Sequence, residues 1–182
     1  ICSGLVGSEM CIRDRSESWR LGLSDTEKSF VKPALKGAFQ LQNAAGVVML
    51  LNKISNALPI DDEAINQGLS NVSHPGRLEL RKVGRQDWLI DVAHNPQSAR
   101  VLADYLGQNN LDGQVAIFSA LNDKDMLPMV KALSPFIRDW HIADLNIPRA
   151  SSIKTLTEML LQAGVDKINI HEHDSMKDAV QK

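Results

Sequence analysis

The sequence predicts an α/β protein with a mostly parallel sheet and helices on both faces. Short β-like runs alternate with amphipathic helices along the second half of the chain, and such alternation with short connections means a covered parallel sheet. Aromatic residues make up only 4% of the 182 residues. The core must therefore be built from Leu, Ile, Val and Ala, which suits layered α/β packing better than an aromatic-rich sandwich. Hydrophobic residues at 43% and charged residues at 23% give an ordinary globular mix.

Residues 1–15, ICSGLVGSEMCIRDR, fit no helical or strand period. They are not a signal peptide either, because Glu9 interrupts the apolar stretch and Arg13-Asp14-Arg15 stands where a small-residue cleavage site belongs. The string resembles a translated sequencing-adapter read-through, and an artefact or a disordered segment is expected here. The chain opens on Ile1 and reads as an excerpt of a longer one. Residues 16–36 are polar and mixed, with Trp19 and Leu21 as anchors and a turn or extended stretch at Lys32-Pro33.

Helical spacing begins near Gly37. Phe39, Leu41, Ala44, Ala45, Val48 and Leu51 recur, and Val47, Met49 and Leu50 add apolar surface, so a helix buried over most of its circumference is expected up to Leu58-Pro59. A second helix starts at Asp61-Asp62-Glu63, acids suited to the positive end of a helix, with Ile65, Leu69 and Val72 as its apolar face. After His74-Pro75-Gly76, Leu78–Val83 alternates as a half-buried strand, and Asp87–Ala93 reads as a buried one. Asn95-Pro96 opens a helix with a cap and a first-turn proline; Ala99, Leu102 and Leu106 form its inner face. Gln114–Ala120, Trp140–Leu145 and Lys167–His171 are further strands. Lys124–Leu133, Ser151–Ala163 and Ser175–Gln181 are helices, the second stopped by Gly164.

Lys+Arg at 20 and Asp+Glu at 22 balance, which argues against a protein that coats nucleic acid. No apolar run is long enough to span a membrane. The two cysteines, Cys2 and Cys11, leave the main body without a disulfide framework, which fits a reducing cytoplasm. The chain has no G-x-x-x-x-G-K-[ST] loop, no G-x-G-x-x-G, no C-x-x-C and no H-E-x-x-H.

Candidate chemistry clusters at strand ends, where parallel sheets bind ligands. Asp91-Val92-Ala93-His94-Asn95-Pro96 puts an acid and an imidazole in one turn. Asp91 either holds ribose hydroxyls or caps the following helix; His94 either lines the same site or is a turn residue. His171-Glu172-His173 offers only two ligands on one strand face, too few for a metal site.

Gly37-Ala-Phe-Gln40-Leu-Gln-Asn43, His74-Pro-Gly-Arg77-Leu-Glu79, Asp91-Val-Ala-His94-Asn-Pro96, Asp123-Lys124-Asp125 and Pro148-Arg149-Ala150 occur in this order. The set resembles the C-terminal part of the dihydrofolate synthase/folylpolyglutamate synthase family, within the Mur ligases, over roughly residues 30–182. The resemblance implies a Rossmann-like C-terminal domain at 74–182 that lacks its last strand. It also implies a remnant of a central ATPase domain at 16–73, carrying the two helices. In such a family ATP lies between the two domains.

The implied activity is ATP-dependent addition of L-glutamate to dihydropteroate or folate through an acyl phosphate. The implied ATP contacts are Asn43 to adenine, Arg77 to the phosphates and Asp91 to ribose, with His94 in the same turn. Read without the resemblance, Asn43 is a polar residue at a helix start and Arg77 a surface ion-pair partner of Glu79 or Asp87. Lys124 and Arg149 match positions near the incoming amino acid, and Lys124 reads equally as a solvated helix start. The ligands for Mg²⁺ and the phosphate loop are expected upstream of this chain. Ser119 stands where the family often has glycine. The whole protein is expected to be a cytoplasmic monomer without nucleic-acid or membrane partners. Another cell-wall Mur ligase, or a non-catalytic Rossmann-like nucleotide-binding module, is the alternative reading.

Overall fold

The structure is a computed structural model that describes residues 12–14, 18–23 and 26–182. Both cysteines, and all of the expected artefact except residues 12–14, lie outside the described residues. The chain divides into two compact units between Asp91 and Val92. The sequence places its domain boundary earlier, between residues 73 and 74.

The first unit opens with an antiparallel sheet of β1 (Ile12–Asp14), β2 (Ser18–Leu23) and β3 (Thr26–Val31), in that order. The sequence shows no strand period over 1–15 and reads 16–36 only as polar and mixed with Trp19 and Leu21 as anchors, yet strands form at 12–14, 18–23 and 26–31. The cause is burial on one face. Trp19 and Leu21 alternate with Arg20 along β2, and both are 0% exposed. With Ile12 and Phe30 they form one cluster with Ala44, Ala45 and Val48 of α1 (Phe39–Lys53). The Trp19 indole N–H donates to the Val31 carbonyl at 2.9 Å. This lets the ring sit fully buried with its polar atom satisfied.

Helix α2 (Asp62–Asn71) starts as expected. Asp61 caps it by accepting the Ala64 N–H at 2.7 Å. Ile65 and Leu69 pack against the buried cluster. Asn66 accepts the Val31 N–H at 2.9 Å, which ties the helix to the end of β3.

Helix α1 is not buried over most of its circumference, and it ends at Lys53, before Leu58-Pro59. A three-stranded sheet covers one stripe of it. Val47 at 54% and Leu50 at 59% exposure lie off that stripe.

The remaining strands of the first unit also depart from expectation. β4 (Glu79–Val83) and β5 (Gln86–Ile90) pair with each other, antiparallel, as a separate two-stranded hairpin. Gly84, with φ 63°, opens the two-residue loop between them. The run Asp87–Ala93 is therefore no buried parallel strand: β5 stops at Ile90, and its side chains are half-buried or exposed.

The second unit holds the parallel sheet, in the order β6 (Gln114–Phe118), β7 (Ile137–Ala143), β8 (Ile170–His173). Helices α3 (Pro96–Gln108), α4 (Met126–Leu133), α5 (Ile153–Gln162) and α6 (Met176–Val180) flank it. Asn95 caps α3 in a reciprocal box with Ser98, with Pro96 in the first turn. Ser152 caps α5 by accepting the Thr155 N–H at 3.2 Å, and Gly164 ends its turn at φ 93°. Trp140, Ile142, Val130, Leu156 and Leu160 are fully buried. Phe118 meets Trp140 edge-on with centroids 5.6 Å apart. The α/β class with a parallel sheet and flanking helices is what the sequence predicts.

Candidate functional site

In the first unit the turn after α2 carries Arg77, and its shape is unusual. Gly76 has φ 70° and Leu78 has φ 45°, so left-handed residues stand on both sides of Arg77. For leucine this conformation is disfavoured by its Cβ. Two carboxylates hold it. Glu79 Oε2 accepts the Gly76 N–H at 2.8 Å, and Asp91 Oδ2 accepts the Leu78 N–H at 2.9 Å. The hairpin supplies both, because Glu79 pairs with Ile90 and Asp91 follows it in the chain. Leu78 is 2% exposed. Gly37, with φ 105°, lets it approach: a Cβ there would lie 3.0 Å from Leu78 Cδ1 and 2.5 Å from Phe39 Cε1.

This geometry removes two of the plainer alternatives. Asp91 does not cap α3, since Asn95 does. Arg77 does not pair with Glu79 or Asp87. Glu79 takes Arg81 Nε at 2.6 Å, and Lys82 stands 3.9 Å from Asp87. Among the described residues Arg77 has no hydrogen-bond or ion-pair partner.

Arg77 lines a shallow cleft of about 160 Å³ with Lys36, His74, Leu78 and Glu79. The Gly76 N–H first, then the Arg81 hydrogen bond, hold the Glu79 carboxyl below its ordinary value. Asp91 lies beside this loop, on the amide of the residue after Arg77. Asn43 is not tied to it by any hydrogen bond: its side-chain amide donates to Gln40 Oε1 at 3.0 Å.

In the second unit the loops after β6 and β7 are zipped together. The Asn122 N–H donates to the Arg149 carbonyl at 2.9 Å, and the Ser151 N–H to the Ala120 carbonyl at 2.9 Å. This brings together Lys124 and Arg149, which the sequence could only name separately. Both reach Asp123 Oδ2, Arg149 Nη2 at 2.6 Å and Lys124 Nζ at 3.5 Å. Partial burial pushes the Asp123 carboxyl up, but Arg149 and Lys124 together outweigh it and hold it below its ordinary value. Arg149 is 65% exposed. The Ser119 hydroxyl, at the end of β6, is buried with no partner among the described residues.

His94 starts the turn into α3. A carbonyl only accepts, so its Nδ1–H donates to the Val92 oxygen at 3.0 Å, which leaves the proton off Nε2 in the neutral ring.

The sequence reading names Glu79 and Asp123 only within motifs and, of a group of three imidazoles, singles out only His171 and His173. His141 Nδ1 and His173 Nε2 are 2.8 Å apart, and His171 Nε2 lies 3.5 Å from Asp139. Parallel pairing of β7 and β8 sets His141 opposite His171. Only His171 and His173, two apart in sequence, could have been flagged. No group of metal-ligating side chains able to hold an ion occurs among the described residues, and no described helix is long and apolar enough to cross a membrane.

Residues 76–182 match the family described as Mur ligase, glutamate ligase domain. The chain belongs to this family.

Within it, the chain is 37% identical over 130 residues to the dihydrofolate synthase/folylpolyglutamate synthase of Bacillus subtilis, covering 69% of this chain and 30% of that one. The structure is similar to Mycobacterium tuberculosis folylpolyglutamate synthase complexed with ADP, at 25% identity and a TM-score of 0.81, covering 96% of this chain and 40% of that one. It is also similar to a bifunctional folylpolyglutamate synthase/dihydrofolate synthase with Mn, AMPPNP and L-glutamate bound, at 30% identity and a TM-score of 0.73, covering 90% of this chain and 37% of that one. This Mur ligase chain thus spans well under half the length of these relatives.

Proposed function

We propose that this chain is the C-terminal part of an ATP-dependent ligase that adds L-glutamate to dihydropteroate or a folate. The observation that carries the reading is the Arg77 guanidinium, without a partner among the described residues, in a turn whose flanking amides are held by Glu79 and Asp91. A fixed guanidinium fork suits phosphate oxygens, and a nearby carboxylate with an open oxygen suits ribose hydroxyls. The named relatives, with their bound ADP, AMPPNP, Mn and L-glutamate, support the same substrates here.

In this reading a folate-type carboxylate attacks the terminal phosphorus of ATP and ADP leaves. The amine of glutamate then attacks the acyl carbon and phosphate leaves. Arg77 neutralises charge on the moving phosphoryl group. Asp91 orients the ribose, and Asn43 reads the adenine edge with its amide. His94, in the turn that follows Asp91 in the sequence, is a further nucleotide ligand. Lys124 and Arg149 face the amino acid, and a cation there selects a diacid. Residues 74–182 are the ligase C-terminal domain and 16–73 the end of the central one, while Mg²⁺ is held by residues upstream. The whole enzyme works as a cytoplasmic monomer.

The test is glutamate incorporation into dihydropteroate and folate by the complete enzyme that carries this segment. ATP-dependent incorporation is expected, and none by the 182-residue chain alone. Turnover by the short chain, or no folate-dependent ADP release from the complete one, sinks the reading.

A further inference from the structure

An arginine with a glutamate two residues away and an aspartate beside its own turn would ordinarily pair with one of them. Arg77 pairs with neither, and the bonding of the two acids explains it. Both oxygens of Glu79 are occupied, Oε2 by the Gly76 N–H at 2.8 Å and Oε1 by Arg81 Nε at 2.6 Å. Asp91 Oδ2 is occupied by the Leu78 N–H.

We propose that Glu79 is a positioning residue for Arg77. It fixes the amide on one side of the arginine while Asp91 fixes the amide on the other, and the arginine is left lining the cleft with no partner among the described residues, available to a triphosphate. The proposal rests on the reading of Arg77 as a phosphate ligand.

The turn needs both acceptors. Gly76 at φ 70° and Leu78 at φ 45° flank Arg77, and their N–H groups meet Glu79 at the start of β4 and Asp91 one residue past β5. Arg81 has a distinct part. Its charge satisfies Glu79, so that the carboxylate does not draw Arg77 into an ion pair. The depressed carboxyl of Glu79 agrees with an acid kept ionised by these contacts.

The experiment is NMR on the 182-residue chain, reading the Gly76 amide exchange rate and the Arg77 backbone amide signal. Glu79→Ala should speed Gly76 exchange about tenfold or more, the size expected for a lost bond to a charged acceptor. It should also move the Arg77 backbone amide signal, because the turn that carries the arginine loosens. Glu79→Gln keeps an acceptor and should hold Gly76 exchange within about threefold of the parent, since neutral acceptors retain most of such a bond. If Glu79→Ala unfolds the first unit, Glu79→Asp replaces it: the shorter acid should keep its charge but lose Gly76 and shift the Arg77 backbone amide in the same way.

An unchanged Arg77 signal with a freed Gly76 amide would make Glu79 merely structural and overturn the proposal. In the complete ligase, Glu79→Ala should lower kcat about tenfold with the KM for ATP nearly unchanged, as for a contact made in the transition state. Should Arg77→Ala leave ATP turnover intact there, the phosphate reading fails, while the amide result still stands or falls by itself.

Discussion

Two arginines, Arg77 and Arg149, follow prolines in short polar loops, and the two loops treat them in opposite ways. In the first unit the nearby carboxylates are taken by backbone N–H groups and by Arg81, and Arg77 has no partner among the described residues. In the second unit Asp123 takes Arg149 directly at 2.6 Å. A free cation in a rigid turn is poised to meet a highly charged group and stabilise charge that moves. A cation already shared with a carboxylate offers a weaker, exchangeable contact, suited to holding a small zwitterion. Availability, more than residue type, separates the two.

The largest effect should come from Arg77→Ala, which is expected to lower kcat of the complete ligase about 10²-fold or more, as removal of a preorganised charge donor does. Arg149→Ala should act mainly on the KM for glutamate, by about tenfold, the size of one charged hydrogen bond. The reverse ranking in steady-state kinetics would break the comparison.

Next comes the turn itself. Gly37→Ala brings a Cβ to 2.5 Å from Phe39 and forces φ 105° on an alanine. The first unit should lose about 1–3 kcal/mol, measured by denaturant unfolding, as for other strained left-handed positions. An unchanged midpoint would mean that the Leu78 contact is not tight.

A smaller effect sharpens the other side. Asp123→Asn releases Arg149 from its charge partner, and the KM for glutamate should fall about threefold, in line with exposed pairs. A rise would show that Asp123 itself contacts the amino acid.

The smallest effect is a difference in acid sensitivity. Burial, then His171 and His173, hold the His141 imidazole below its ordinary 6.5, with Asp139 opposing them. A base lowered on folding stabilises the fold above its unfolded value and loses that contribution as pH falls through the folded one. The second unit should therefore start to weaken below about pH 6.5. Glu79, also lowered, keeps its contribution until the pH falls below the ordinary carboxylate value of 4.5. Thermal unfolding between these two values should affect the second unit first, and His141→Phe should remove that onset.

The parallel half of the fold was readable because period, caps and stops agree: Asn95-Pro96 opens α3, and Gly164 follows α5. The antiparallel parts were not. β2 alternates Trp19, Arg20, Leu21, but polar neighbours mask the pattern, and DWLIDVA looks like a buried strand because apolar content does not reveal pairing direction. Motif order singles out Arg77, Asp91, Lys124 and Arg149 as candidates. It could not show which carboxylate each cation meets, since that depends on backbone N–H groups competing for the same oxygens. The imidazole group was hidden because His141 and His173 are 32 residues apart and meet only through strand register.

Each unit carries one indole shut off from water, Trp19 in the first and Trp140 in the second. With Trp88 changed to Phe, the chain becomes a two-channel fluorescent reporter. Loss of either channel through a further Phe substitution leaves blue emission from one half alone, and its red shift in denaturant dates that half's opening without any added dye.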